Sequence, residues 1–348
     1  MDNVKDILQS LTSISAPSGY EMPVVHFLKD KLSIYSNLKI EEDVLGNLIV
    51  TKKGKTAKTI MLVAHCDEIG FAVKYIDEHG FIRFAPIGGV DVSLLKGQIV
   101  NIVHNDTIIQ GVVGARPIHF SYNEENTKSF DISDMWIDIG AQDKESAMDL
   151  VSIGDPITLN THYTELDNHL FSAKSVDNRV GVAVLLSVIQ QVHALDIDSN
   201  IVFVFSVQEE IGLRGAIAAG YVIHPDINIV VDVTHATDYP TANRNAFGDI
   251  RLGNGPVIPI GANFSMKIQN MLKFIAEKEG VPYQFESMPG NSGTDAAALQ
   301  ILRGGGASGL LSIPCRYMHT PVEIISYQDL RDAINILISY VIHSPNFN

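Results

Sequence analysis

Two adjacent glutamates, Glu209 and Glu210, close the apolar run "NIVFVFSVQEEIG" (200–212). Like charges side by side at the edge of a core repel each other and resist desolvation, so something must offset them. Other apolar runs end on similar residues. "TIMLVA" leads to His65, Asp67 and Glu68, "INIVV" to Asp232 with His235 beyond it, and "LLSIPCRYMHTP" carries His319. Asp177 stands instead at the start of an apolar helix, in "SVDNRVGVAVLL". Singly, each has a plain structural reading: Asp177 as a helix cap, the histidines as hydrogen-bonded core or loop residues, Asp232 as a turn cap. Together, His65, His319, Asp177, Glu209, Glu210 and Asp232 form a donor set that suits two divalent cations of the Zn²⁺, Co²⁺ or Mn²⁺ type.

Such a pair, about 3.5–4 Å apart, needs a bridging carboxylate. The short stem of Asp177 on a rigid helix start fits that role better than a mobile glutamate. Asp67, two residues past His65, is spaced to accept the other ring N–H and so orient the imidazole. A turn after the strand lets both glutamates face one pocket, which consecutive residues of a flat strand cannot do. One of them is then available as a ligand, and the other as an acid/base that moves a proton from water to a leaving group.

Elements of an α/β sheet must deliver these residues, because ligands of open α/β sheets gather at the carboxyl ends of strands. The pattern reads as strands near 59–70, ending in polar residues, and near 200–207, 227–233, 282–287 and 308–313. Helices are expected near 177–194, 213–219, 263–279, 294–302 and 326–342. Gly46-Asn47 reads as a tight hairpin turn. Between Phe71 and about Glu165 the texture changes to short β-like runs separated by Gly, Pro and Asp, with one short helix near 143–151. The expected fold is thus a mixed sheet flanked by helices, formed by residues 1–70 and 166–348, with a small all-β insertion at 71–165.

The 348 residues are 46% hydrophobic, enough for a full core, and their net charge of −15 argues against nucleic acid and disfavours anionic membranes as partners. Two cysteines, Cys66 and Cys315, form no disulfide framework. The first residues lack a signal-peptide pattern, and the apolar stretch at 180–189 is too short to span a bilayer. A soluble, cytoplasmic protein is expected.

"AHCDEIGF", "SVDNRVG", "VQEEIGLRGA", "VDVT", "SGTDAAALQ" and "MHTP" occur in the order found in the M42 metallo-aminopeptidases, and the chain resembles that family from about Ser13 to beyond Pro321. The resemblance implies that Asp177 bridges two metals, zinc foremost, with His65 and Asp232 on one and Glu210 and His319 on the other. Glu209 would be the general base and Asp67 the partner of His65. It further implies hydrolysis of the first peptide bond of short peptides. The β-rich insertion would serve dimerisation, and dimers could build a dodecamer. Asp295 would lie near the site, as a substrate contact, a support or a helix cap. A related di-metal deacylase, carboxypeptidase or glycan-acting hydrolase, and a scaffold stabilised by its metals, are the competing readings.

Overall fold

The computed structural model describes residues 4–117 and 131–343. Helices α1 (Val4–Ser13) and α2 (Met22–Leu32) precede strands β1 (Lys39–Glu42), β2 (Leu48–Lys52) and β3 (Thr59–His65). Six strands follow, β4 (Gly70–Ile76), β5 (Ile82–Ile87), β6 (Ile99–His104), β7 (Thr107–Ala115), β8 (Met135–Asp138) and β9 (Pro156–Leu159), with α3 (Lys144–Met148) before the last. Then come β10 (Thr164–Leu166), β11 (Leu170–Ala173), α4 (Val176–Val192), β12 (Asn200–Ser206), α5 (Arg214–Ile223) and β13 (Ile227–His235). The chain continues through α6 (Arg244–Phe247), β14 (Val257–Ile260), α7 (Met266–Glu279), β15 (Gln284–Ser287) and α8 (Asp295–Ile301). It closes with β16 (Ala307–Cys315), β17 (Glu323–Ser326) and α9 (Tyr327–His343).

The main sheet has eight strands in the order β1-β2-β12-β3-β13-β16-β14-β15. Its centre, β12-β3-β13-β16, is parallel, while β1, β2 and the β14–β16 pairing are antiparallel, so the sheet is mixed as expected. Both faces are covered. Along β3, Ile60, Leu62 and Ala64 join the core under α1, α2, α4, α7 and α9, while Met61 and Val63 join the one under α5 and α8. That two-sided burial explains the continuous apolar runs in the sequence, since parallel strands with helices on both faces show little alternation.

β4 to β9 close into a barrel in the order β4-β5-β8-β7-β6-β9, and their inward residues, among them Phe71, Phe84, Ile102 and Ile137, form a separate apolar cluster. A small sheet, β10-β11-β17, completes the fold. The Gly46-Asn47 turn differs from expectation. β1 and β2 pair as Glu42↔Leu48, which leaves a five-residue loop from Asp43 to Asn47. The Asp43 Oδ1 accepts from the N–H groups of Leu45, Gly46 and Asn47, an organisation around a carboxylate rather than around a two-residue turn.

Candidate metal centre

The central strands run the same way, so their carboxyl ends share one rim of the sheet. β3 ends at His65, directly beside Ser206 at the end of β12, and β13 carries Asp232 three residues before its end. After Ser206 the chain turns through Gln208, whose φ of 58° lies in the left-handed region, and both glutamates then swing toward the same space. Asp177 comes from the distorted first turn of α4, where it and Asn178 have non-helical backbone angles. Asn178 ties that turn to the sheet: its Nδ2 donates to the Val231 carbonyl (2.8 Å) and its Oδ1 accepts from the Gly181 N–H (3.0 Å).

All six donors expected from sequence line one pocket of about 450 Å³. The two oxygens of Asp177 face different histidines. Oδ1 lies 3.1 Å from His65 Nε2, and Oδ2 lies 3.3 Å from His319 Nε2. His65 Nε2 is also 3.7 Å from Asp232 and 4.0 Å from Glu209, while His319 Nε2 is 3.4 Å from Glu210. Two groups of three donors, His65–Asp177–Glu210 and His65–Glu209–Asp232, each have their ligand atoms within 4.8 Å of one another.

His319 is fixed by two contacts. Its Nδ1–H donates to the Gly89 carbonyl at 2.8 Å, so Nε2 is the nitrogen left to coordinate. Its backbone N–H donates to Glu323 Oε1 at 2.8 Å. The other oxygen of Glu323 accepts from the Asp177 N–H at 2.9 Å. One buried carboxylate therefore holds the main chain of two donors. Nothing in the sequence reading singled out Glu323. The available signal was a glutamate four residues after His319 that opens the apolar run "EIIS".

Asp67 does more than face His65. Its Oδ1 stands 3.5 Å from His65 Nδ1, too far for an ordinary hydrogen bond. Instead Asp67 accepts from the backbone N–H of Glu209 and of Glu210, each at 3.1 Å, and from the Ser18 hydroxyl at 2.6 Å. It thus anchors the glutamate turn to the end of β3. Glu68, beside it, is buried against Lys174 (2.7 Å) and Arg179 (3.4 Å), which pins the same loop to α4. Asp295 is the first residue of α8 and not its cap, a place taken by Thr294; its Oδ2 accepts from Ser206 Oγ at 2.7 Å. His235, with no site role expected from the sequence beyond a structural or surface histidine, lines the pocket.

Burial raises Glu209 to about 10, with His65 pulling down and the carboxylates of Asp232, Asp295 and Glu210 pushing further up. Burial likewise raises Asp232 and Glu210. Hydrogen bonds to Asp177 and Glu210 lift His319 to about 11. Burial opposes ionisation of Asp177, but its contacts with His319 and His65 outweigh that and lower it. Among the described residues, the lining includes five carboxylates and no Lys or Arg. Imidazole and carboxylate donors converging with their charge uncompensated are the donor chemistry of a divalent cation site, and the residues fit that group.

The fold and this pocket define a metal-dependent hydrolase with a helix-flanked mixed sheet. The sequence model of the M42 glutamyl aminopeptidase family matches residues 46–336, and the chain belongs to that family. A lysyl aminopeptidase of Pyrococcus furiosus is 35% identical, with 95% of this chain and 94% of that protein covered. Aminopeptidase APDkam598 of the archaeon Desulfurococcus kamchatkensis superposes with a TM-score of 0.91 at 34% identity, covering 98% of this chain and 94% of that one. The TET1 peptidase of Pyrococcus horikoshii, which can assemble into a tetrahedron or an octahedral shell, gives 0.88 at 31% identity, covering 98% of this chain and 99% of that one. The chain is accordingly a hydrolase, an aminopeptidase of a metal-dependent family. Among the described residues no helix is long and apolar enough to cross a membrane.

Proposed function

We propose that the chain removes the first residue of short peptides with two divalent cations held on Asp177. His65 and Asp232 would complete one site, Glu210 and His319 the other, with zinc the first choice and cobalt or manganese acceptable to the same donors. The observation that carries this reading is the division of the Asp177 oxygens between the two histidines. When bound, the cations supply Lewis acidity toward the attacking water and the scissile carbonyl.

Glu209 is the base. Its side chain reaches the pocket with no hydrogen-bond partner among the described residues, and it is poised to take the proton of the attacking water and deliver it to the departing amine. Asp67 holds the main chain of Glu209 and Glu210 and so fixes the base relative to the ligand. The surplus of carboxylates attracts the α-ammonium of a free N-terminus, which favours an exopeptidase acting at that end. Residues 71–165 are assigned as an insertion that pairs subunits. Its separate core, and the assemblies of the Pyrococcus horikoshii relative, support dimers that build a larger homo-oligomer.

The test is hydrolysis of aminoacyl-p-nitroanilides and their N-acetylated counterparts by metal-stripped protein reloaded with Zn²⁺, Co²⁺ or Mn²⁺. Turnover confined to metal-loaded protein and free amines is the expected result. Turnover of blocked substrates would move the assignment to a deacylase, and none despite two bound metals would refute it.

A further inference from the structure

Glu286 also lines the pocket, and none of the roles above uses it. It lies on β15, an edge strand whose alternation is inverted: Phe285 is 49% exposed while Glu286 turns to the covered side. Gln284, on the same face, is fully engaged, accepting from the Arg251 N–H and donating to the carbonyls of Arg251 and Gly255. Among the described residues, Glu286 has one protein hydrogen bond, from the Thr234 hydroxyl to its Oε2 at 2.6 Å. Among the described residues no Lys or Arg pairs with it.

β13 serves as the ruler. Asp232 and Thr234 are two residues apart on this strand, so they share a face and stand about 7 Å apart. Glu286, bonded to Thr234, therefore marks a point one strand repeat away from a proposed metal ligand. A peptide whose reacting carbonyl sits among the donors has its first side chain free to extend along the pocket. Met288 and Met318 are among the lining residues and give the pocket apolar wall. A four-carbon stem ending in an ammonium would lay its methylenes on that wall and its charge on Glu286.

We propose that the pocket selects a basic first residue, lysine or arginine, with Glu286 as the specificity-determining carboxylate. The assignment rests on the aminopeptidase reading above. It also runs against the family's glutamyl name, because an acidic first side chain reaching Glu286 would meet another carboxylate, with no Lys or Arg among the described lining residues to pair with it. An inward charge on an edge strand can instead serve only to block edge pairing, a role that leaves substrate choice untouched.

The experiment is a comparison of kcat/KM for lysyl-, norleucyl- and glutamyl-p-nitroanilide on metal-loaded protein, in the wild type and in Glu286→Gln, with metal content measured in both. Norleucine matches the lysine stem and lacks only the ammonium. The wild type should favour lysyl over norleucyl by about tenfold, with glutamyl slowest. In Glu286→Gln that ratio should fall toward one at unchanged metal content. A parallel thermal-shift titration should show free lysine binding the wild type more tightly than free norleucine. A wild-type preference for norleucyl or glutamyl substrate overturns the assignment whether or not the variant folds, and so does an unchanged ratio in a folded variant. Failure of all three substrates would refute the aminopeptidase reading and this assignment with it.

Discussion

His65 and His319 bring the same nitrogen, Nε2, to opposite oxygens of Asp177, yet the chain holds them by different means. His65 ends a central parallel strand, and its side chain is 2% exposed. His319 follows β16 in a loop, takes a left-handed backbone (φ 61°) and has a side chain 35% exposed. The first is positioned by the sheet itself. The second depends on two hydrogen bonds, to Glu323 and to Gly89. One half of the pocket is therefore as rigid as the core, and the other is as rigid as its contacts.

The largest effects should come from changes that ignore this asymmetry. Glu209→Gln should lower kcat by about 10²–10⁴-fold while both metals stay bound, as measured by turnover and metal analysis. An equally active variant would remove Glu209 as the base. Asp177→Asn should instead lose metal from both sides, and full occupancy would refute its bridging role.

Glu323→Gln tests the comparison directly. Glutamine keeps one acceptor and places an NH₂ where the second acceptor stood, so one of the two backbone contacts is lost. Metal affinity on the His319 side should fall by about 10–100-fold, with a smaller change on the His65 side. Competitive titration with a chelator resolves the two steps. Equal weakening would show that the two halves share one scaffold. In the wild type, the same titration should empty the His319 side first.

A smaller effect concerns pH and the metal-free protein. Folded Glu209, near 10, lies above its ordinary 4.5, and folded His319, near 11, lies above its ordinary 6.5. The folded state thus binds more protons than the unfolded chain across these intervals, and stability falls as pH rises through them. Melting temperature in the presence of a chelator should decline between about pH 6 and pH 9, and metal loading should flatten that slope. A metal-free protein that gains stability over this range would contradict the charge balance described here.

Much of this arrangement was legible in the residues. The strands carrying His65, Glu209–Glu210 and Asp232 are long apolar runs, and carboxyl-end logic collected their terminal polar groups into one pocket. What escaped was set by distance along the chain and by backbone geometry. Glu323 acts on Asp177 from 146 positions away and through main-chain N–H groups, which leave no trace in side-chain patterning. Asp67 stands beside His65 but beyond ordinary hydrogen-bond distance, and its bonds to the glutamate backbone require the Gln208 turn, which spacing does not reveal. Glu286 alternates with an outward phenylalanine on an edge strand, the reverse of the pattern that marks a buried face. The five-residue Asp43 loop was misread because Gly-Asn resembles a two-residue turn, and the carboxylate that organises it lies just before.

Gly89 lies two residues past β5, so the carbonyl that orients His319 belongs to the connection between β5 and β6, two strands of the barrel. The ring of a donor in one part of the molecule is thereby set by the seating of another. Free energy in such a contact flows equally in both directions. Whatever factor a well-seated barrel adds to cation affinity at His319, a bound cation must return as resistance of the barrel to being displaced.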